Sequence, residues 1–271
     1  MMPFDCGKLW CAMLTALVMN SASAVCTRVL QVPISPVGIS VTIKGDVISG
    51  IYPDILRDVG AKLACQFNFT PVPRARQEAL FQVGESDILV PAVHSDERDK
   101  YGYFIALVQT RAMLISIDAT RAPIGNFSQL LERADMRVAV VRGFDYGPAY
   151  FALLDKLKTK GRLYQETSPA NVARLLKEGI ADVTIMPPST MAATIVGDAR
   201  IEAMMDKLRV EALVELGWND AGLYLSRRSM PAELRHALEA EVATVALSKT
   251  VFDRFRLALP ARLINVSMRP R

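Results

Sequence analysis

Histidine and cysteine are scarce in this chain, with 2 and 4 copies in 271 residues. The histidines, His94 and His236, lie far apart, so histidine alone cannot assemble a metal centre. Blocks of like charge are missing as well. No five or six Lys and Arg run together or gather on one expected helix, and the net charge is only +4. That removes the electrostatic footprint of a nucleic-acid-binding protein and leaves a mild positive field that favours anionic small molecules. There is no low-complexity segment and no internal repeat, which sets aside disordered and solenoid architectures. The apolar run at residues 9–19 is shorter than the about 20 residues that a bilayer span needs.

That run does match a secretory signal. Lys8 precedes it, and "NSASA" follows with Ala22, Ser23 and Ala24, the small residues a signal peptidase requires. Cleavage after Ala24 is expected, which sends the mature chain to the periplasm. Val25 is too large to precede a lipidated cysteine, which argues against an anchor at Cys26. Losing residues 1–24 removes Asp5 and Lys8 together, so the net charge of +4 is unchanged, and it also removes Cys6 and Cys11. The remaining two, Cys26 and Cys65, lie just before "TRVLQV" and "QFNFTPV" in an oxidising compartment. If those are neighbouring parallel strands, their starts lie within the reach of about 6 Å between Cα atoms that a bridge needs. A Cys26–Cys65 disulfide is expected, the alternative being two free thiols. With both thiols so committed, no metal site and no cofactor is expected.

The mature chain is long enough for two lobes. A β-α-β rhythm begins at once: strand "TRVLQVPI", a hairpin in "VTIKGDVISG" turned at Gly45-Asp46, then a helix in "YPDILRDVGAKLA" with Ile55, Leu56, Val59 and Leu63 on one face. Strand "QFNFTPV", helix "RARQEALFQVG" closed by Gly84, and buried strand "DILVPAV" follow. The run "YFIALVQTRAMLIS" is too long for one ordinary strand, so the chain is expected to leave one sheet for another near Gln109. A second α/β series runs to "STMAATIVG", and a return crossing is expected near Leu213–Leu216. The chain then ends in amphipathic helices that pack on the first lobe. The predicted organisation is a signal peptide at 1–24, a first lobe at 25–108, a second lobe at 109–215 and a return to the first lobe at 216–271. In fold class this is α/β, each lobe a mixed, mostly parallel sheet flanked by helices, with two crossover strands as a hinge.

Five stretches, "GIYPDILRDVGAKL", "ALFQVGESDILV", "DERDKYGYF", "RVAVVRGFDYG" and "LLKEGIADVTIM", occur in an order and spacing that resembles the periplasmic solute-binding proteins of amino-acid ABC transporters, over essentially the whole mature chain. The resemblance implies a two-lobed clamp, a type II periplasmic binding fold, that closes on a small solute and delivers it to a membrane permease. It also implies that the arginine before the first crossover grips a ligand carboxylate, and the matching residue is Arg98. A guanidinium suits that task because it stays charged and offers paired donors to a carboxylate. The sequence departs from the family at three places. Pro187 stands where an aspartate would hold an ammonium group, Phe144 where a serine or threonine is expected, and Val93 where a serine is expected. A buried ammonium without an anion is costly, so the resemblance with these departures points to a carboxylate-bearing guest rather than a plain α-amino acid.

Further site candidates follow from position. Asp145 and Phe144 lie in a strand-to-helix turn, Asp145 either as a ligand contact or a helix cap, Phe144 either stacking on a guest or packing. His94 ends a strand beside Arg98, with a structural imidazole as the other reading. Of Arg74 and Arg76, which open a helix, Arg76 is expected to face the cleft. Tyr52 and Ser189 are weaker candidates, and Trp218 lines the hinge or fills core. The predicted ligand set is thus Arg98, Arg76, His94, Asp145, Phe144, Tyr52 and Ser189, with no catalytic residue. The predicted protein is a monomeric, non-enzymatic binding protein with a small organic acid or amino-acid-like ligand, an ABC permease as partner, and no nucleic acid. Two alternatives stand beside it: a periplasmic dehydratase on the same scaffold, with His94 or Asp145 as acid, and a sensor that docks on a membrane receptor kinase.

Overall fold

The computed structural model describes residues 25–117 and 120–271. The expected signal segment, residues 1–24, lies outside the described residues. β1 (Leu30–Ile34) is followed by a 3-10 turn (Gly38–Ser40) and the hairpin of β2 (Thr42–Lys44) and β3 (Val47–Ser49). α1 (Ile51–Leu63) buries Ile51, Ile55, Leu56 and Val59 at helical spacing. Next come β4 (Phe67–Pro71), α2 (Arg74–Val83), β5 (Ile88–Val93), α3 (Asp96–Asp99) and β6 (Gly102–Arg111). The second series is β7 (Met113–Ile117), α4 (Phe127–Glu132), β8 (Val138–Val141), α5 (Pro148–Thr159), β9 (Leu163–Glu166), α6 (Pro169–Lys177), β10 (Val183–Met186), α7 (Pro188–Val196) and β11 (Leu208–Glu211). The chain returns in β12 (Trp218–Ser226) and ends with α8 (Ala232–Leu247), α9 (Thr250–Ala258), α10 (Ala261–Ser267) and β13 (Met268–Pro270).

These strands form two principal sheets, one ordered β13-β6-β12-β5 and one ordered β11-β7-β10-β8-β9, beside the parallel pair β1-β4 and the β2-β3 hairpin. Pairing is mixed: β8 runs parallel to both β9 and β10, whereas β7 is antiparallel to β10 and β11, and β12 to β5 and β6. The chain passes from the first sheet to the second at Ala112, a little beyond the expected Gln109. The reason is pairing: Arg111 still matches Trp218 across β12, while β13 holds Thr110, Gln109 and Val108 on the other edge. β13 itself is a strand where only helices were expected. It covers backbone groups of β6 that would otherwise form an open edge.

Side chains alternate across β8 as the strand period requires. Ala139 and Val141 join a buried cluster that runs on into β6 and the helices around the first sheet, while Val138 and Val140 join a second cluster with Tyr150 and Leu153 of α5. The first cluster is therefore continuous between the two sheets. In the β1-β4 pair Leu30 lies opposite Phe67, and the Cys26–Cys65 disulfide closes just before those strand starts with a Cα–Cα distance of 5.1 Å. Loop-closure entropy for a separation of 39 residues assigns it about 4 kcal/mol.

Candidate functional site

The carboxyl ends of β8 and β10 open on one edge of their sheet, each leading through a short turn into a helix, α5 or α7. Such ends are where α/β sheets form crevices, because turns and helix starts converge there. Across a cavity of about 90 Å³ they face Pro91, Ala92 and Val93 at the end of β5, Thr110 of β6 and Ala221 of β12. One water needs only roughly 10–15 Å³ of such space, so the cavity admits a compact solute. Tyr52 and Phe255 meet edge-on at 6.3 Å and line it from the helices.

Arg98 reaches this cavity from α3. Ser95 caps that short helix, its Oγ accepting from the Arg98 N–H at 3.4 Å, and the surrounding charges separate: Asp96, Glu97 and Lys100 stay exposed, while Arg98 is only 5 % exposed. Its Nη1 donates to the Val93 carbonyl at 2.6 Å. Its Nε and Nη2 donate to the two carboxylate oxygens of Glu78 at 3.2 and 2.7 Å. Arg74 arrives from the start of α2, 3 % exposed, and donates through Nη1 to the Pro91 carbonyl at 2.7 Å and to Gln77 at 3.2 Å. Its Nη2 also donates to Glu78, one helical turn along. Each guanidinium thus commits three of its five N–H donors. The buried Arg74 Nε has no hydrogen-bond partner among the described residues.

Burial works against charge on Glu78, but the two guanidiniums outweigh it and hold its carboxyl below the usual glutamate range. Burial likewise opposes the charge on Arg98, and Glu78 overcomes it and raises the guanidinium's pKa. Burial pushes the hydroxyls of Tyr52 and Tyr146 upward, so both stay neutral donors at ordinary pH. On the opposite wall Asp145 accepts from the Gly147 N–H at 2.8 Å, just before α5, and its charge acts on Arg98. Phe144 and Tyr146 pack edge-on at 6.1 Å on either side of it.

Of the residues expected from sequence, Arg98, Tyr52, Phe144, Asp145 and Ser189 line the cavity. Arg76 does not: it is exposed on α2, whose buried positions are Arg74, Gln77 and Phe81, a helical stripe that excludes residue 76. His94 does not either. It is exposed past the end of β5, its ring tilted against Phe104 with centroids 5.0 Å apart and its Nε2 2.9 Å from Asp99. Its own backbone N–H pairs with Asp220, which carries the chain past the cleft before the side chain emerges. His236 is exposed beside Glu239, and Trp218 stacks under Arg269 where β12 begins. Pro187, which stands where an aspartate would hold an ammonium group, lines the cavity, and the candidate Asp145 lies on the same wall. Arg74, the other arginine that opens α2, lines the cavity instead of Arg76, and Glu78 is a residue that the sequence did not point to. The signal available for Arg74 was Phe81, two helical turns on, which sets the inward phase of α2. Among the described residues no group of three His, Cys, Asp or Glu comes together to hold a metal ion.

No family model matches the chain, and no curated protein matches it by sequence. Solved structures match it over most of its length. It is similar to a histidine kinase sensor domain with similarity to periplasmic binding proteins, at 16 % identity and a TM-score of 0.65, covering 86 % of this chain and 96 % of that one. It is similar to EhuB in complex with hydroxyectoine, at 15 % identity and a TM-score of 0.68, covering 88 % and 91 %. It is also similar to the amino acid ABC transporter substrate-binding protein AbpA from Streptococcus pneumoniae bound to L-arginine, at 17 % identity and a TM-score of 0.65, covering 85 % and 96 %. The α/β fold of this chain, mixed sheets flanked by helices, is that of the periplasmic binding proteins and related sensor domains.

Proposed function

We propose that the chain is an exported solute-binding protein whose two sheets, with their helices, act as lobes that close on a small guest and present it to an ABC permease. The lobes divide at the two places where the chain changes sheets, Ala112 and the stretch 212–217, and these serve as the hinge. The single observation that carries this reading is the pair of buried guanidiniums, Arg74 and Arg98, in a cavity otherwise lined mainly by apolar and aromatic side chains, with N–H donors uncommitted and the Arg74 Nε unpartnered. A buried guanidinium that lines the cavity and keeps N–H groups uncommitted offers paired donors, and a carboxylate of the guest supplies their acceptor. Asp145 opposite favours a guest that also carries a hydrogen-bond donor, so the ligand class is a small organic acid or amino-acid-like molecule.

Of the two candidate dehydratase acids, His94 lies outside the cavity lining and Asp145 lies in it, accepting from the Gly147 N–H; binding is favoured over catalysis by the buried guanidiniums that offer a carboxylate its donors. A second reading, a ligand sensor for a membrane receptor kinase, is favoured by the similarity to a histidine kinase sensor domain. A permease or a kinase encoded beside the chain separates the two partners.

Thermal melting against a panel of small acids, amino acids, amines and sugars tests the site. A guest at about 100 times its dissociation constant adds roughly 2.7 kcal/mol, visible as a raised midpoint. An acid or amino-acid-like member is expected to raise it, and Arg98→Ala to remove the effect. A shift that survives Arg98→Ala, or one produced only by sugars, overturns the assignment.

A further inference from the structure

Glu78 does not line the cavity, yet it is the one carboxylate bonded to both guanidiniums that do. Arg74 and Arg98 come from different elements, α2 and α3, and Glu78 is what joins them. The three side chains are 4, 6 and 15 % exposed, so little water is present to dilute their charges. Two cations and one anion leave this wall with a single net positive charge. The opposite wall offers Asp145 and no cation.

Resting on the reading of the cleft as a ligand site, we propose that Glu78 is a specificity-determining residue that limits the guest to one negative charge. With Glu78 and Asp145 in place the four charges of the cleft sum to zero, and a monoanion finds the uncommitted guanidinium N–H groups on the one wall that keeps a net positive charge. A second negative charge on the guest would meet no free cation, with Glu78 behind the arginines and Asp145 in front of them. Specificity then arises from what the site repels as much as from what it attracts.

The test uses two probes of different charge, acetate and sulfate, with sodium chloride at matched ionic strength as the control, and reads dissociation constants by calorimetry and midpoints by melting. The wild-type chain is expected to favour acetate. Glu78→Gln raises the wall to two net positive charges, so sulfate should bind it at least about tenfold more tightly than it binds wild type, a difference of about 1.4 kcal/mol. The gain should vanish when Arg98→Ala is added. Because Glu78→Gln leaves two buried cations together and can impair folding, a second variant carries the same logic: Arg74→Gln with Glu78→Gln removes one cation and one anion, restores one net positive charge, and should favour acetate as wild type does. Removing one cation and one anion together leaves no added uncompensated charge in the wall, so this double variant is the safer scaffold. Equal sulfate affinity in wild type and Glu78→Gln, a sulfate gain that persists without Arg98, or a double variant that prefers sulfate overturns the inference. If wild type binds a carboxylate through Arg98 while the acetate-to-sulfate preference ignores Glu78, only the role of Glu78 falls. If removing Arg98 changes anion binding in no variant, the cleft assignment falls with it.

Discussion

The two walls of the cleft are built by different physics. The wall on the β5 side is held by charge and hydrogen bonds: Arg74, Glu78 and Arg98 form one buried network tied to the carbonyls of Pro91 and Val93. The wall on the β8 and β10 side is held by rings and backbone: Phe144 packs on Tyr146, Tyr146 on Tyr150, and Gly143 sits so close to α2 that an added Cβ would lie 3.1 Å from the Arg74 Cγ and 3.2 Å from the Ala75 backbone. A polar network fixes direction, because each bonded N–H must aim at its acceptor, whereas an aromatic wall tolerates small shifts. On the proposed reading of the cleft as a ligand site, the difference assigns guest orientation to the first wall and guest shape to the second.

The largest effect that bears on this contrast comes from removing one member of each wall. Arg98→Ala strips Glu78 of two hydrogen bonds and leaves a buried carboxylate with Arg74 alone, and breaking a buried pair in this way costs about 3 kcal/mol. Phe144→Ala removes a half-buried ring, worth about 1 kcal/mol on the scale of partial apolar burial. Urea denaturation of the two variants checks the ordering. Similar losses would show that the walls do not differ in the way described.

A smaller effect tests how the walls meet. The 3-10 turn at Gly38–Ser40 packs on α7 of the other sheet, and Gly38 has φ +55° with an added Cβ 2.1 Å from the Ala193 carbonyl oxygen. Gly38→Ala therefore combines left-handed strain of about 1–2 kcal/mol with a collision against backbone across the cleft. Gly45, at φ +56° in the β2-β3 turn, has nothing within 4 Å and serves as the control for strain alone. Solution scattering is expected to show a larger radius of gyration for Gly38→Ala and none for Gly45→Ala. Equal profiles would mean that this contact does not hold the walls together.

The sequence made the scaffold legible for physical reasons. Helical spacing in α1, the Gly45 turn and the apolar run of β8 each report local geometry that burial then reinforces. The cleft was legible only in part. Arg98 could be singled out because it matches the arginine that the family resemblance implies before the first change of sheet, and Phe144 and Asp145 because they follow a strand end. Arg76 was preferred to Arg74 because two polar residues near a helix start carry little phase information, and the polar Gln77 hid the buried stripe. Glu78 left no local mark beyond its spacing from Arg74, since its second partner lies 20 residues away. Networks closed by tertiary contact have no period for a reader of sequence to find.

The smallest effect is the dependence of the first wall on acid. Glu78 has its carboxyl held below the ordinary range in the folded chain by Arg74 and Arg98, working against its burial. A carboxyl whose folded pKa lies below its unfolded value contributes stability that is fully present above the unfolded pKa and is lost as pH falls through the folded one. The aromatic rings of the second wall have no titration in that window, because burial moves Tyr146 and Tyr150 upward. Melting from neutral pH to below the usual glutamate range should therefore show wild type losing a part of its stability that the charge-balanced Arg74→Gln, Glu78→Gln variant does not lose, with the curves converging at the acid end. Asp87, buried against Arg28, Ser229 and the Gln31 amide at the foot of β1, is also held low and contributes equally to both curves, so only their difference reports on Glu78. Parallel curves across the whole range would show that folding leaves the Glu78 pKa unchanged, and the electrostatic half of the contrast would have to be withdrawn.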